Sequence, residues 1–191
     1  MSDNLLLAGF GANDPQLAVA FVRRFQRAVF GIAFGVVGDP GMAEDIAQQA
    51  FVHAWRCADS YDVRRGAVRT WLMRITHNLA MDAVRIRRIR RIGPVGLDEP
   101  HRLAVTIAPD PERPALAGEA WTRLRRSLAG LPAEQARAIV MAAVHGMTAR
   151  EIAYIEEIPL GTAKSRIRAG MSKLHSLSRP PDDDYDQVDS A

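Results

Sequence analysis

Two short stretches concentrate side chains that could do chemistry on a polyanion. Residues 159–170 read PLGTAKSRIRAG, and residues 81–93 read MDAVRIRRIRRIG. Laid out at 100° per residue, Ala163, Ile167, Gly170, Met171, Leu174 and Leu177 form one apolar stripe. Lys164, Ser165, Arg168 and Ser172 fall on the opposite side, with Arg166 on the boundary. Lysine and arginine there can reach phosphate or the acceptors of guanine, and Ser165 can meet a base edge or a phosphate. Pro159 suits a first helical turn, and Gly161 lets an anion approach free backbone N–H groups. In the second stretch, Arg85, Arg87, Arg88, Arg90 and Arg91 cannot all find carboxylates locally. They predict a phosphate-binding surface; a solvated helix end is the alternative.

The segment before the first stretch gives it a context. In MTAREIAYIEEIPLGTAKSRIRAGMSKL, Thr148 and Glu151 form a capping-box pattern, and Glu156-Glu157-Ile158-Pro159 forces a tight turn. Helix, turn and basic helix predict a helix-turn-helix whose second helix lies in the DNA major groove. A structural αα-hairpin would carry the same core stripe but not so concentrated a positive outer face. Arg166 could touch DNA or pair with Glu151 inside the motif. Upstream, the Asp62–Ala67 loop and Asn78 form a polar neighbourhood for Trp71, suited to an unstacked base. Taken alone, Trp71 reads more readily as a core residue than as a platform.

These residues need a scaffold, and the composition supplies a helical one. The chain has 191 residues, 48% hydrophobic and 25% charged, with few aromatics and no β-branched runs. A helix is expected over 14–37, capped by Asp14, started by Pro15 and stopped by Gly38-Asp39, with Leu17, Phe21, Phe25, Val29, Ile32 and Val36 inside. A second starts near Pro40, burying Met42, Ile46, Ala50, Val52 and Trp55. A third runs from about Arg69 to Ile92 on Trp71, Leu72, Ile75, Leu79, Ala83 and Ile86. Residues 93–114 then hold five of the eleven prolines and two glycines, the composition of a linker. Helical periodicity resumes near Ala115 and lasts to Ser178. The fold class is all-α: two small helical domains, 1–92 and 115–179, joined by the 93–114 linker and followed by an acidic, disordered tail, 180–191.

Charge points the same way as the motifs. The net charge is +3, but the last twelve residues hold five of the twenty-two acidic residues and none of the twenty-five basic ones, so residues 1–179 carry +8. So basic a helical body suits nucleic acid. Lone Cys57 excludes an internal disulfide, and the five histidines lack metal-ligand spacing, so no metal or cofactor is expected. Phosphate loops, nucleotide fingerprints and nucleophile elbows are absent, so no catalytic residue is assigned. A signal peptide and an eighteen-residue apolar run are absent too, which predicts a cytoplasmic protein that does not itself enter the membrane.

GDPGMAEDIAQQAFVHAW, TWLMRITHNLAMDAVR and EIAYIEEIPLGTAKSRI, in this order and spacing, resemble the hallmark segments of the extracytoplasmic-function sigma factors. These form the smallest branch of the sigma-70 family of bacterial RNA polymerase initiation subunits. The resemblance spans about residues 14–178, and RLRRSLAGLPAEQARAIVMAAVHG matches the helices before the helix-turn-helix. It implies two domains, sigma regions 2 and 4, and docking of core RNA polymerase through its largest-subunit clamp and flap. Asp45, Gln48 and Gln49 match the clamp-contact positions; the family often has an acidic residue where Gln49 stands. Arg69, Trp71, Asn78, Asp82, Arg85 and Arg88 match the region that reads the −10 element and captures a flipped base. Thr162, Lys164, Ser165, Arg166 and Arg168 match the region that reads the −35 element, with Ala169 where many relatives carry arginine. The linker would thread near the polymerase active centre and RNA exit path.

The resemblance further implies an anti-sigma factor as partner and a free chain that is monomeric. A free-standing helix-turn-helix repressor or activator would be a symmetric dimer and would leave the polar face around Asp45 and Gln48 without a role. A recombinase-like enzyme would need a nucleophile or carboxylate cluster. On its own the chain is expected to bind duplex promoter DNA poorly, because two small domains on a flexible linker must be held at a fixed separation.

Overall fold

The computed structural model describes residues 1–91, 127–128 and 130–178, and all regular structure among them is helical. The expected linker at 93–114, the onset of the second domain before residue 127 and the acidic tail at 180–191 lie outside the described residues. The first unit contains α1 (Asp3–Gly11), α2 (Pro15–Val37), α3 (Pro40–Arg56) and α4 (Val68–Arg91). Two single 3-10 turns, Ala58–Ser60 and Val63–Arg65, lead from α3 into α4. The second unit contains α5 (Ala133–Ile139), α6 (Ala149–Ile155) and α7 (Leu160–Ser178).

Local chemistry accounts for the ends. The Asp14 carboxylate accepts from the backbone N–H groups of Gln16 and Leu17, Pro15 opens the first turn, and Gly38 closes α2 in the left-handed conformation at φ 68°. Asp39 repeats the cap for α3, accepting from Met42 N–H at 2.8 Å. Helix α1 was not expected from the sequence. It has nine residues, two glycines and leucines on more than one side, so no 3.6-residue stripe announces it. What holds it is close packing: Leu6, Leu7 and Phe10 are buried, and a side chain at Gly9 would collide with Leu17 of α2.

Phe21 of α2 stacks on Phe10 at 4.6 Å between ring centres and meets Phe25 and Phe51, so α1, α2 and α3 share one aromatic core. Farther along, Phe34, Val36, Ala43, Ile46 and Ala80 join α2, α3 and α4. The buried faces of α3 and α4 differ in detail from expectation. In α3, Ala43, Ile46, Ala50 and Ala54 face inward, while Val52 and Trp55 are 47% and 42% exposed. The small alanines let the helices approach, and the two larger side chains lie over a shallow groove against Phe10, Val22 and Phe51. In α4 the inward face is Val68, Leu72, Met73, Thr76 and Ala80; Trp71, Ile75 and Leu79 flank it, and Ile86 is 50% exposed. Thr76 is tolerated inside because its hydroxyl donates to Leu72 O at 2.9 Å.

The second unit has its own small core of Leu128, Leu131, Ala136, Ile139 and Val140, with Leu174 against it. Helix α5 passes into one π turn, Val140–Val144, where His145 N–H donates to Val140 O. Gly170 lies where α7 crosses α5, and a side chain there would meet Ile139. The two units are not apart. Met141, Met147, Ile152, Ala153 and Ile155 of the second belong to the same buried cluster as Leu72 and Met73 of α4.

Candidate nucleic-acid interface

The helix-turn-helix is built by caps at both ends of α6. Thr148 Oγ1 accepts from Glu151 N–H at 3.3 Å, and Glu151 Oε2 accepts from Thr148 N–H at 2.8 Å, a complete capping box. At the other end Ile158 N–H donates to Ala153 O at 3.0 Å, with Glu157 in the left-handed conformation at φ 54°. The tight turn expected from EEIP is therefore a Schellman-type stop made without glycine. Glu156, beside it, has a side chain only 2% exposed. Its carboxylate accepts from Arg166 at 2.7 Å and from Arg137 at 3.2 Å, tying α5, the turn and α7 together.

Arg166 thus turns inward onto Glu156, not onto Glu151. The outer face of α7 presents Lys164, Ser165 and Arg168, all exposed, and Ser165 Oγ donates to Thr162 O at 2.9 Å. Thr162 is half-buried in the first turn. Lys164 and Arg168, four residues apart, stand one above the other on that face.

A second concavity lies between the 58–67 segment and α4. It has a volume of about 440 Å³ and is lined by Tyr61, Asp62, Gly66, Trp71, Asn78 and Asp82, among others. Trp71 and Tyr61 meet edge-on at 5.5 Å, and the Tyr61 hydroxyl donates to Gly66 O at 2.9 Å, so the aromatic wall is braced. Burial, then the Asp3 and Asp62 carboxylates, raises the Tyr61 phenol above its ordinary value, keeping it a neutral donor. Arg64 bonds Asp62 and holds its carboxyl below the usual range. The structure brings Trp71, Asn78 and Asp82 to this one cleft. Arg85 lies exposed farther along α4; of Arg88 only the backbone, within α4, is described.

Arg69 is not in the cleft. Its guanidinium donates to His145 O of the second unit at 2.6 Å. The sequence reading missed Tyr61, Arg74 and Tyr154, which also line the cleft. Arg74 was accessible by periodicity, three residues beyond Trp71 and four before Asn78; Tyr154 was not, because it arrives from the other unit. Asp45, Gln48 and Gln49 are all exposed and share a shallow groove with His53 and Arg56 along α3. Among the described residues no cluster of His, Cys, Asp or Glu could hold a metal ion, and no helix is long and apolar enough to cross a membrane.

A helical unit with a polar outer helix and an aromatic cleft, followed by a helix-turn-helix unit, is the organisation of a sigma-70-type initiation subunit. Residues 21–91 match the family model for Sigma-70 region 2, and residues 121–174 match that for Sigma-70, region 4. The chain is 30% identical over 175 residues to the ECF RNA polymerase sigma factor SigK of Mycolicibacterium vanbaalenii, covering 88% of this chain and 85% of that one. It is 32% identical over 171 residues to the ECF RNA polymerase sigma factor SigE of Mycolicibacterium smegmatis, covering 87% and 65% of the two chains. Its fold is similar to that of CnrH, solved in complex with the cytosolic domain of CnrY, with a TM-score of 0.64, 24% identity and coverage of 93% and 97%. It is also similar to the sigma factor RpoE of Bartonella quintana, solved in complex with the anti-sigma factor NepR, with a TM-score of 0.63, 22% identity and coverage of 82% and 92%. The chain belongs to the extracytoplasmic-function sigma factors and is an alternative sigma factor of RNA polymerase.

Proposed function

We propose that the chain binds core RNA polymerase through the outer face of α3, reads the −35 element with α7, and captures a −10 base in the cleft beside Trp71. Residues 1–92 form the core- and −10-binding unit, 93–114 the connector, 115–179 the −35-binding unit and 180–191 an acidic tail. The observation that carries the reading is the presence, on one chain, of matches to both sigma regions in their proper order. The exposed positions of Asp45, Gln48 and Gln49, and of Lys164, Ser165 and Arg168, support the assignment of the two outer faces. Arg166, held by Glu156, serves in it by aiming α7. The Trp71–Tyr61 corner offers a stacking wall, with Asn78 and Asp82 as hydrogen-bonding groups for a base edge. Catalysis belongs to the polymerase, and this chain supplies specificity and strand capture. It works in the cytoplasm as a monomer until it meets core polymerase, and an anti-sigma factor is its expected inhibitor.

The test is reconstitution. Added to core polymerase, the chain should direct initiation from a narrow set of promoters recovered by sequencing the bound DNA. Failure to direct any initiation would overturn the reading. Asp45→Arg with Gln48→Ala should leave helicity intact, since both side chains are exposed, and should weaken core binding at least about tenfold, or 1.4 kcal/mol. Unchanged affinity in a titration would remove α3 as the dock. Lys164→Ala or Arg168→Ala should each weaken use of the preferred −35 sequence by about 1–3 kcal/mol. Equal effects on preferred and scrambled −35 sequences would mark these as phosphate contacts only.

A further inference from the structure

Helix α1, which no helical period announces and to which the proposed function gives no task, lies against the segment that walls the cleft. Its Asn4 Oδ1 is 3.3 Å from the Tyr61 hydroxyl, which donates to it as well as to Gly66 O at 2.9 Å. One phenol proton thereby ties the first turn of α1 to both ends of the 61–66 loop. Gly66 stands at φ 145°, a conformation that side chains rarely adopt, so the acceptor it offers is fixed by backbone geometry. At the other end of α1, a side chain at Gly11 would lie 2.6 Å from the Ala58 methyl group, so helix and loop meet without a gap. Helix α1 is itself anchored. Ser2 Oγ accepts from Leu5 N–H at 3.3 Å, Asp3 pairs with Arg24 of α2 at 2.6 Å, and Leu6, Leu7 and Phe10 are buried. The edge-on contact of Tyr61 with Trp71, at 5.5 Å between ring centres, carries the position of the loop to the stacking wall.

We propose that α1 positions the cleft: Asn4 and Gly11 hold Tyr61 and the Ala58–Ser60 turn where Trp71, Asn78 and Asp82 can receive an unstacked base. The proposal rests on the assignment of the cleft to strand capture. Asn4 and Gly11 do not line the cleft, and both act through the loop. The composition of that loop is the reason it needs a brace. It consists of two single 3-10 turns, and Asp59, Ser60, Val63, Arg64 and Arg65 are exposed. Of residues 58–67, Ala58 and Tyr61 are the ones that pack against the buried core, and α1 touches both. A loop with so little burial of its own is drawn from the low-stability end of a structure. Held in advance, it spares the strand the ordering entropy of fixing it on binding. Helix α1 thus serves strand affinity by preorganisation and not by contact.

The full chain in complex with core polymerase tests this on single strands. The probes are labelled non-template strands of the promoter that wild type prefers, one intact and a set each lacking one base of the −10 element. Fluorescence anisotropy reads their affinities, and the missing base that costs wild type most marks the captured one. Asn4→Ala removes an acceptor of Tyr61 and should weaken binding of the intact strand about threefold, the lower range for one hydrogen bond. It should leave unchanged the affinity for the strand without the captured base. Asn4→Asp keeps an acceptor oxygen at that place and should bind as wild type does. Gly11→Ala pushes Ala58 away and should show the same selective loss, and Ala58→Gly added to it makes room and should restore binding. Because Asn4 is exposed, helicity and urea midpoint should not move in Asn4→Ala. Equal losses on both strands, or no loss on either, would overturn the positioning role. If Gly11→Ala fails to fold, the two Asn4 variants decide alone. A wild type indifferent to every missing base sinks strand capture and the positioning role with it. A base-dependent wild type with indifferent variants sinks the positioning role only.

Discussion

Glu156→Ala should destabilise the helix-turn-helix unit by about 3–5 kcal/mol, the usual cost of removing one partner from a buried ion pair. Its carboxylate is 2% exposed and takes bonds from Arg137, whose side chain is 12% exposed, and from Arg166, at 26%. Without it, two guanidinium groups stay largely out of water with no counter-charge. The nearest other group, His77, is neutral because burial pushes its imidazole below the ordinary value against the opposing pull of Glu156. Among the described residues the second unit's separate core is small, so it has little to absorb such a loss. Hydrogen exchange should therefore show lost protection across 133–178 while α1, α2 and α3 stay protected, and urea titration should show an earlier first transition. Glu156→Ala with Arg137→Ala should recover part of the loss, because the double variant leaves less charge unpaired. A shift within about 0.5 kcal/mol, the range of ordinary surface substitutions, would show that Glu156 does not hold the unit together.

Mild acid should open the closed packing of the second unit on α4, where Arg69 meets His145 O, before it unfolds the rest. His145 is pushed down to about 4, first by burial and then by the Arg69 guanidinium. In the opened or unfolded chain its value returns to about 6.5. As the pH falls through 6.5 the open state takes up a proton that the closed state refuses, so the closed state loses stability down to about pH 4. For full exposure on opening this amounts to about 2 kcal/mol by pH 5, and there is no change above pH 7. His77 acts in the same direction.

The facing carboxylates lose their contributions later. Burial works against the Glu151 carboxylate, yet bonds from Thr148 and Thr70 hold it below its ordinary value, and the Arg74 bond does the same for Glu157. Their stabilisation is full above about 4.5 and disappears as the pH falls through their lowered values. Scattering between pH 7 and 5 should show expansion in wild type and a flatter profile in His145→Gln. Identical profiles for the two chains would remove His145 from the cause.

The seam between the two units, which joins Arg69 to His145 O and Arg74 to Glu157, is a tertiary feature that no local sequence signal announces. Local chemistry made much of the rest legible in advance. Asp14, Pro15 and Gly38 set the ends of α2, and Thr148 with Glu151 set the start of α6, because caps are decided within four residues along the chain. The outer face of α7 was readable for the same reason, since helical period alone separates Lys164 and Arg168 from Ala163 and Gly170. Trp71, Asn78 and Asp82 could be placed near one another because α4 carries all three. Only tertiary structure decided which large apolar residues go inside: Ala43, Ala50 and Ala54 let α3 pack closely and leave Val52 and Trp55 outward. It alone turned Arg166 onto Glu156 and Arg69 onto His145 O, and brought Tyr154 to the cleft. The two hydrogen bonds join residues 10 and 76 positions apart, and no local period encodes which group meets which across such distances.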